Sequence, residues 1–200
     1  MLRHAAIAIA GLVCSTLTLG PCLPAPPSTP APAVTAAGPW KTLDPIIDDK
    51  LWAVMASEGV KLTVTRVADV SAEASGQSSG SKLQQAGLRL DYDFQTGAGY
   101  AGVKRALNFD LPPNYEIAFD MRGDLPTNNF ELKILDPAGT SVWWYNRKAF
   151  SFPSSLTTLT TPRRKISFAW GPSNLELTKA GGIEIVVASI KGGKGSVYLS

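Results

Sequence analysis

The segment Leu88–Phe94 alternates strictly between apolar and charged residues, and this period constrains the fold more than any other feature of the chain. Arg89, Asp91 and Asp93 occupy every second position, with apolar residues between them. Successive side chains of a β-strand point to opposite faces. The segment is therefore predicted to be a half-buried strand with a charged outer face.

A glycine-rich segment, Gly97–Gly102, follows this strand and fits the pattern G-x-G-x-x-G. A dinucleotide-binding loop with that pattern needs a helix directly after it, because the helix N-terminus holds the pyrophosphate. Here Val103–Leu107 is short, and Pro112 and Pro113 close the segment before a useful helix could form. We therefore expect a hairpin turn that uses the conformational freedom of glycine, followed by a second strand.

Further strands are predicted wherever short apolar or alternating segments are bounded by turn residues. These segments are Ile46–Met55, Val60–Val67, Tyr115–Arg122, Phe130–Leu135, Val142–Arg147, Lys165–Trp170, Ile183–Ile190 and Gly195–Ser200. Nothing between them predicts a long helix. Many short strands without helices are typical of an all-β protein, and we expect an antiparallel β-sandwich of jelly-roll type over residues 40–200.

The N-terminal part of the chain has the layout of a targeting segment. Residues 1–20 join a positive start, Met1–His4, to the apolar run Ala5–Leu19, which is typical of a secretory signal peptide and short for a membrane span. Cleavage is expected between residues 20 and 37. Residues 21–39 are rich in proline and alanine and predict an extended linker. The protein is thus expected to be secreted, periplasmic or at the cell surface, with a lipid anchor on Cys22 as an alternative to plain secretion.

The distribution of histidine and cysteine excludes several kinds of chemistry. His4 is the single histidine, and Cys14 and Cys22 are the two cysteines. Once the leader is removed, the domain has no residues for Ser-His-Asp or Cys-His catalysis, for His or Cys zinc sites, or for a disulfide. The net charge of +3 is small and no long basic run occurs, so no nucleic-acid partner is predicted.

Polar and aromatic residues on two strands are candidates for a ligand site. Trp143, Tyr145 and Arg147 share one face of their strand by alternation, and Arg89 and Asp91 share one face of another. If the two sets converge on one sheet, an aromatic plane and hydrogen-bonding charges would meet where a sugar ring could lie. Two alternatives remain open: the charges form an ordinary solvated sheet face, and the aromatic residues simply fill the core.

The same residues do not suggest catalysis, although a cation site is conceivable. Asp91 and Asp93 project in parallel, roughly 7 Å apart by the rise of a strand, so they do not flank a bond from two sides as glycosidase carboxylates do. We therefore expect no enzyme activity and no cofactor. Asp48 and Asp49 offer hard oxygen ligands, which makes them candidates for a structural calcium site.

Six segments occur in an order that resembles a known module. They are Leu88–Phe94, Gly99–Gly102, Leu111–Glu116, Asn128–Lys133, Val142–Arg147 and Ser167–Pro172. Over roughly residues 46–199 the chain resembles the galactose-binding-like, carbohydrate-binding-module-like jelly roll at the N-terminus of bacterial extracellular proteins with discoidin or glycoside-hydrolase parts. The resemblance implies a non-catalytic, exported module that binds a polysaccharide or other glycan on one sheet face. The alternative is a structural domain that docks neighbouring domains or partner proteins and binds no sugar.

Overall fold

The computed structural model describes residues 40–71, 85–95, 97–173, 175–189 and 192–200. These residues form eleven strands and two short 3-10 turns, Asp49–Leu51 and Arg163–Lys165. The strands are β1 (Ala53–Ala56), β2 (Val60–Val67), β3 (Gly87–Phe94), β4 (Gly99–Asp110), β5 (Glu116–Gly123), β6 (Asn128–Leu135), β7 (Val142–Phe150), β8 (Thr157–Pro162), β9 (Ser167–Trp170), β10 (Lys179–Ser189) and β11 (Gly193–Leu199).

The strands form two antiparallel sheets that pack face to face. Sheet A has six strands in the order β1-β4-β10-β6-β7-β9, and sheet B has five in the order β2-β3-β11-β5-β8. The expected all-β jelly-roll sandwich is confirmed. In both sheets a late strand lies in the middle: β10 separates β4 from β6, and β11 separates β3 from β5.

The alternation of β3 correctly predicted which residues are buried. Leu88 and Leu90 are completely buried between the sheets, whereas Arg89, Asp91 and Asp93 are half-buried on the outer face of sheet B. Burying an aliphatic side chain of this size stabilises the fold by about 1.5–3 kcal/mol. The other fully buried large side chains of the same core are Met121, Phe130, Leu132, Ile134, Val103, Val187, Val197 and Leu199.

The expected hairpin between β3 and β4 is wrong. β3 belongs to sheet B and β4 belongs to sheet A, so the glycine-rich segment carries the chain from one sheet to the other. Gly97 and Gly99 adopt φ angles of 92° and 148°, which side chains other than glycine rarely adopt. The prediction that no helix follows is confirmed, because β4 begins at Gly99.

Two smaller expectations also need correction. Residues 46–48 are not a strand; a 3-10 turn follows them, and β1 begins only at Ala53. The strand β8 was not predicted, because its sequence Thr-Thr-Leu-Thr-Thr-Pro has a single large apolar residue, Leu159. An edge strand such as β8 is contacted by one neighbour in its sheet and needs little apolar periodicity.

The predicted signal peptide at residues 1–20, the linker at residues 21–39 and the alternative anchor at Cys22 lie outside the described residues. Within the part of the chain that is described, no helix is both long and apolar enough to cross a membrane.

Candidate functional site

The aromatic set predicted to contact a ligand lies on the inner face of sheet A. Trp143, Tyr145 and Arg147 pair with residues of β6 that are buried in the core. The three pairs are Trp143 with Ile134, Tyr145 with Leu132, and Arg147 with Phe130. Trp143 is only 8% exposed, and Tyr145 packs against the core. The prediction that this set forms an open ligand face is therefore wrong, because period-two alternation does not determine which side of β7 faces the solvent.

The interactions of Tyr145 and Arg147 explain how polar residues fit this inner face. The Lys165 ammonium lies 5.6 Å from the centre of the Tyr145 ring. The Arg147 guanidinium lies 4.4 Å from the centre of the Phe150 ring. Both contacts have the geometry of cation–π interactions; Arg147 is half-buried, and Lys165 is exposed.

The charged pair predicted to join that set lies in the other sheet. Arg89 and Asp91 project from β3 on the outer face of sheet B, where their side chains form a salt bridge of 2.8 Å. The Ser196 hydroxyl on β11 donates a hydrogen bond to the same carboxylate oxygen of Asp91. The expected convergence with Trp143, Tyr145 and Arg147 is wrong, because that set lies on the inner face of sheet A whereas Arg89 and Asp91 lie on the outer face of sheet B.

The two aspartates proposed as calcium ligands are adjacent to a 3-10 turn. Asp48 accepts a hydrogen bond of 3.1 Å from the Lys50 backbone N–H and so caps the turn, and Asp49 is its first residue. Among the described residues, no group of three or more Asp, Glu, His or Cys side chains could hold a metal ion. A calcium site at Asp48 and Asp49 would therefore have to draw on backbone carbonyls, and it stays a prediction.

The outer face of sheet A carries the most ordered set of polar side chains. Lys104 on β4, Glu184 on β10 and Lys133 on β6 are aligned across three neighbouring strands. The Lys104 ammonium lies 3.5 Å from the Glu184 carboxylate, which is largely buried. The row therefore consists of alternating charges that neutralise each other across the strands.

A second row of polar side chains lies beside the first. Glu131 forms a salt bridge of 3.0 Å with Lys133 on the same strand. Its other carboxylate oxygen accepts a hydrogen bond of 3.3 Å from the Asn146 amide on β7. Glu131 is only 8% exposed although it faces outward, so its neighbours hold it in one position.

Two tryptophans border these polar rows. Trp144 on β7 and Trp170 on β9 pack edge to face, with ring centroids 5.6 Å apart and planes at 82°. The Lys133 ammonium lies 5.3 Å from the centre of the Trp170 ring. Trp170 is 47% exposed, so a large part of its surface remains open to solvent beside fixed charges.

Tyr100 lies on the same face near the opposite edge of sheet A and is 48% exposed. It pairs with Ala188 on β10, and its side chain points to the same face of β4 as that of Lys104, because alternate residues of a strand share a face. From the strand spacing and the rise per residue, we estimate that Tyr100 lies roughly 20 Å from the Trp144 position. The outer face of sheet A thus has an exposed aromatic ring at each end and ionic groups between them.

This arrangement suits a ligand that has hydroxyl groups and flat C–H faces. The carboxylates of Glu131 and Glu184 accept hydrogen bonds, the ammonium groups of Lys104 and Lys133 donate them, and the Asn146 amide can do both. Charged partners give stronger hydrogen bonds than neutral ones. The exposed ring of a tryptophan can cover the apolar face of a sugar.

Structural comparison identifies solved proteins with this architecture. The family 11 carbohydrate-binding module of the cellulosomal cellulase Lic26A-Cel5E of Clostridium thermocellum is similar over 82% of this chain and 95% of its own, with 21% identity and a TM-score of 0.58. The family 11 module from Clostridium thermocellum in complex with a β-1,3-1,4-mixed-linked tetrasaccharide is similar over 78% of this chain and 92% of its own, with 21% identity and a TM-score of 0.56.

Comparison of the sequence with protein-family models and with curated proteins gives no match. Similarity at about one fifth identity, as seen with the two modules, establishes a shared fold. The chain therefore has the jelly-roll β-sandwich fold of carbohydrate-binding modules, as its six sequence segments suggested.

Proposed function

We propose that this domain is a non-catalytic carbohydrate-binding module that binds a glycan on the outer face of sheet A. One observation carries the proposal: the exposed ring of Trp170 lies beside the fixed charges of Lys133 and Glu131. A sugar ring resting on Trp170 would place its hydroxyl groups within reach of those charges. Tyr100 would contact a more distant sugar of the same oligosaccharide.

The fold supports this proposal. One similar module is described in complex with a mixed-linked β-1,3-1,4 tetrasaccharide, so the architecture is compatible with binding an oligosaccharide. A mixed-linked β-glucan is therefore the first ligand to test, together with cellulose, xylan and galactan. Tyr100 lies roughly 20 Å from the Trp144 position, and the exposed Trp170 lies beyond Trp144 on β9, so this spacing favours an extended oligosaccharide over a single sugar.

The same side chains favour binding over catalysis. Glu131 and Glu184 each form a salt bridge with a lysine, at 3.0 Å and 3.5 Å. A general acid for glycoside cleavage requires instead an apolar environment that keeps the carboxyl protonated. Export through residues 1–20 would bring such a module to its polysaccharide, so we include export in the proposal.

Affinity electrophoresis and titration calorimetry against the four polysaccharides test the proposal. Trp170→Ala should weaken binding of the glycan at least about tenfold, because a single exposed anchor can contribute 2 kcal/mol or more to binding. Trp40→Ala is the matched control, since Trp40 is 67% exposed and lies outside sheet A. Equal affinity of wild type and Trp170→Ala, or no binding to any of the four, would contradict the proposal.

A further inference from the structure

A lysine, a glutamate and an asparagine form a connected group on the outer face of sheet A. The Lys133 ammonium lies 3.0 Å from one carboxylate oxygen of Glu131, and the Asn146 amide donates a hydrogen bond of 3.3 Å to the other. One carboxylate therefore joins a primary amine to a carboxamide. The neighbouring ion pair of Lys104 and Glu184 has no carboxamide bonded to its carboxylate within the described ranges.

The register of β6 and β7 places the lysine and the asparagine within reach of each other. The Asp136 N–H donates a hydrogen bond of 3.0 Å to the Ser141 carbonyl, so these two residues form a hydrogen-bonded pair. Because hydrogen-bonded and non-hydrogen-bonded pairs alternate, Glu131 and Asn146 form a non-hydrogen-bonded pair, in which side chains are closer. Lys133 lies two residues along β6, so its Cα atom is about 8 Å from that of Asn146. The two side chains together can span this distance.

Little solvent reaches the three groups. The Lys133 and Glu131 side chains are only 12% and 11% exposed, although both point outward. The Oδ1 atom of Asn146 is buried and has no hydrogen-bond partner in the described part of the chain. Trp170 borders the group, with the centre of its ring 5.3 Å from the Lys133 ammonium. An amine and a carboxamide are thus held close to each other where few water molecules compete with them.

We propose that Lys133 and Asn146 join through an intramolecular isopeptide bond, with Glu131 as the base that carries the proton. The salt bridge that disfavours Glu131 as an acid for glycoside cleavage is what a base for Lys133 requires. The sequence has no cysteine after Cys22, so this bond would supply the covalent cross-link that a disulfide supplies in other domains. The inference is independent of the proposed glycan binding.

The reaction needs no oxidant and no further reactant. Proton transfer from Lys133 to Glu131 along their salt bridge gives a neutral amine and a neutral carboxyl group. A half-turn about the Cβ–Cγ bond of Asn146 then lets that carboxyl group donate a hydrogen bond to the unpaired Oδ1 atom, which polarises the carbonyl. The Lys133 nitrogen attacks Cγ and forms the new C–N bond.

The second half of the reaction expels ammonia. The Cγ–Nδ2 bond breaks, and Nδ2 leaves as ammonia with the proton that Glu131 held. Glu131 then takes the surplus proton from Nζ and passes it to the ammonia. An ammonium side chain and a carboxamide thus become a secondary amide and an ammonium ion, and Glu131 ends ionised as it began. One N–H of Lys133 and the Glu131 carboxylate remain beside Trp170, so the polar row keeps its hydrogen-bonding groups.

Mass spectrometry of the purified protein tests the proposal. Loss of one ammonia lowers the mass of the chain by about 17 Da. Trypsin should then fail to cleave after Lys133, so residues 123–147 should appear as one peptide with the same deficit. Backbone cleavage between Lys133 and Asn146 should release no separate fragments, because the bond closes a ring there. A succinimide at Asn146 has the same deficit but leaves cleavage after Lys133 intact.

Three variants assign the roles of the residues. Lys133→Arg keeps the positive charge without a primary amine and should have its full mass. Glu131→Gln cannot accept the proton and should form the bond about 100-fold more slowly or not at all. Lys104→Arg is the matched control on the same face and should keep the whole deficit, because its partner Glu184 joins it to no carboxamide. Circular dichroism establishes that each variant is folded.

Refolding shows whether the folded domain forms the bond by itself. Wild-type protein dissolved from inclusion bodies in urea should have its full mass and acquire the deficit after refolding at neutral pH. Three results would overturn the proposal: refolded wild-type protein that keeps its full mass, tryptic cleavage after Lys133, or a deficit that persists in Lys133→Arg. Glycan binding measured on the same samples is a separate result, since a cross-linked protein that binds no glycan contradicts only the proposed function.

Discussion

Trp143 and Trp144 are adjacent in the chain and lie on opposite faces of sheet A, so one is a core residue and the other contributes to the outer surface. Trp143 belongs to the core and packs edge to face on the more exposed Phe168 at a centroid distance of 5.6 Å, whereas Trp144 packs on Trp170 on the outer face. We expect Trp143→Ala to lower the free energy of unfolding by about 3–5 kcal/mol. Urea denaturation measures this directly, and Trp144→Ala is the control, with a much smaller loss. Equal losses would contradict the assignment of the two faces.

The Arg122 side chain is buried on the outer face of sheet B and should contribute strongly to stability. Its guanidinium lies 3.5 Å from the centre of the Tyr198 ring, and its Nε donates a hydrogen bond to the Val70 carbonyl. Arg122→Ala removes the cation–π contact and leaves that carbonyl unpaired, so we expect a loss of about 2–4 kcal/mol. Arg89→Ala, on the same face but more exposed, should cost under about 1 kcal/mol. Equal denaturation midpoints for the two variants would contradict the prediction that Arg122 contributes more to stability than Arg89.

Gly102 allows the central strands of sheet A to approach closely. A Cβ atom at this position would lie 2.3 Å from the Ile185 carbonyl oxygen and 2.7 Å from the Val186 Cα atom on β10. Gly102→Ala must therefore push β4 and β10 apart, and we expect a loss of about 1–3 kcal/mol or more. Gly139→Asn is the control, because a Cβ there meets no atom within 4 Å and asparagine tolerates its φ of 70°. A normal melting temperature for Gly102→Ala would refute the close approach.

Asp136 should make stability depend on pH in the acid range. Burial alone would raise its pKa, but hydrogen bonds donated by the Ser141 and Thr140 backbone N–H groups, the latter 2.7 Å long, hold the pKa below its usual value. Its contribution is complete above the unfolded-state pKa of about 3.9 and is lost as the pH falls through the lower folded-state pKa.

Urea denaturation between about pH 5 and pH 2 measures this dependence. Asp136→Asn retains an acceptor oxygen but cannot titrate, so it should reduce the slope of stability against pH. Asp110→Asn, an exposed change at the end of β4, provides the comparison. If both variants keep the full slope, the loop at Asp136 does not contribute to acid sensitivity.

The sequence predicted the sandwich and the burial of β3 because both depend on local alternation. It could not predict that β3 and β4 lie in different sheets, because alternation contains no information about pairing partners. The predicted ligand face was wrong for a related reason. Every residue of β7 from Val142 to Tyr145 is apolar or aromatic, so the pattern alone does not tell which face is buried. On β6, by contrast, Glu131 and Lys133 alternate with the core residues Phe130, Leu132 and Ile134, so the pattern of that strand does distinguish its two faces.

The strand order also limits when this protein can fold during its synthesis. β10 and β11, the last two strands in sequence, are the strands that join the two parts of each sheet. A nascent chain that has not yet reached Lys179 therefore contains four separate groups of strands with open hydrogen-bonding edges, and neither sheet can close. Long-range pairing of this kind slows folding, and the two sheets can form only after the ribosome has released almost the whole domain. Until the residues from Lys179 onward are made, the edges of β4 and β6 that β10 will occupy, and those of β3 and β5 that β11 will occupy, stay open.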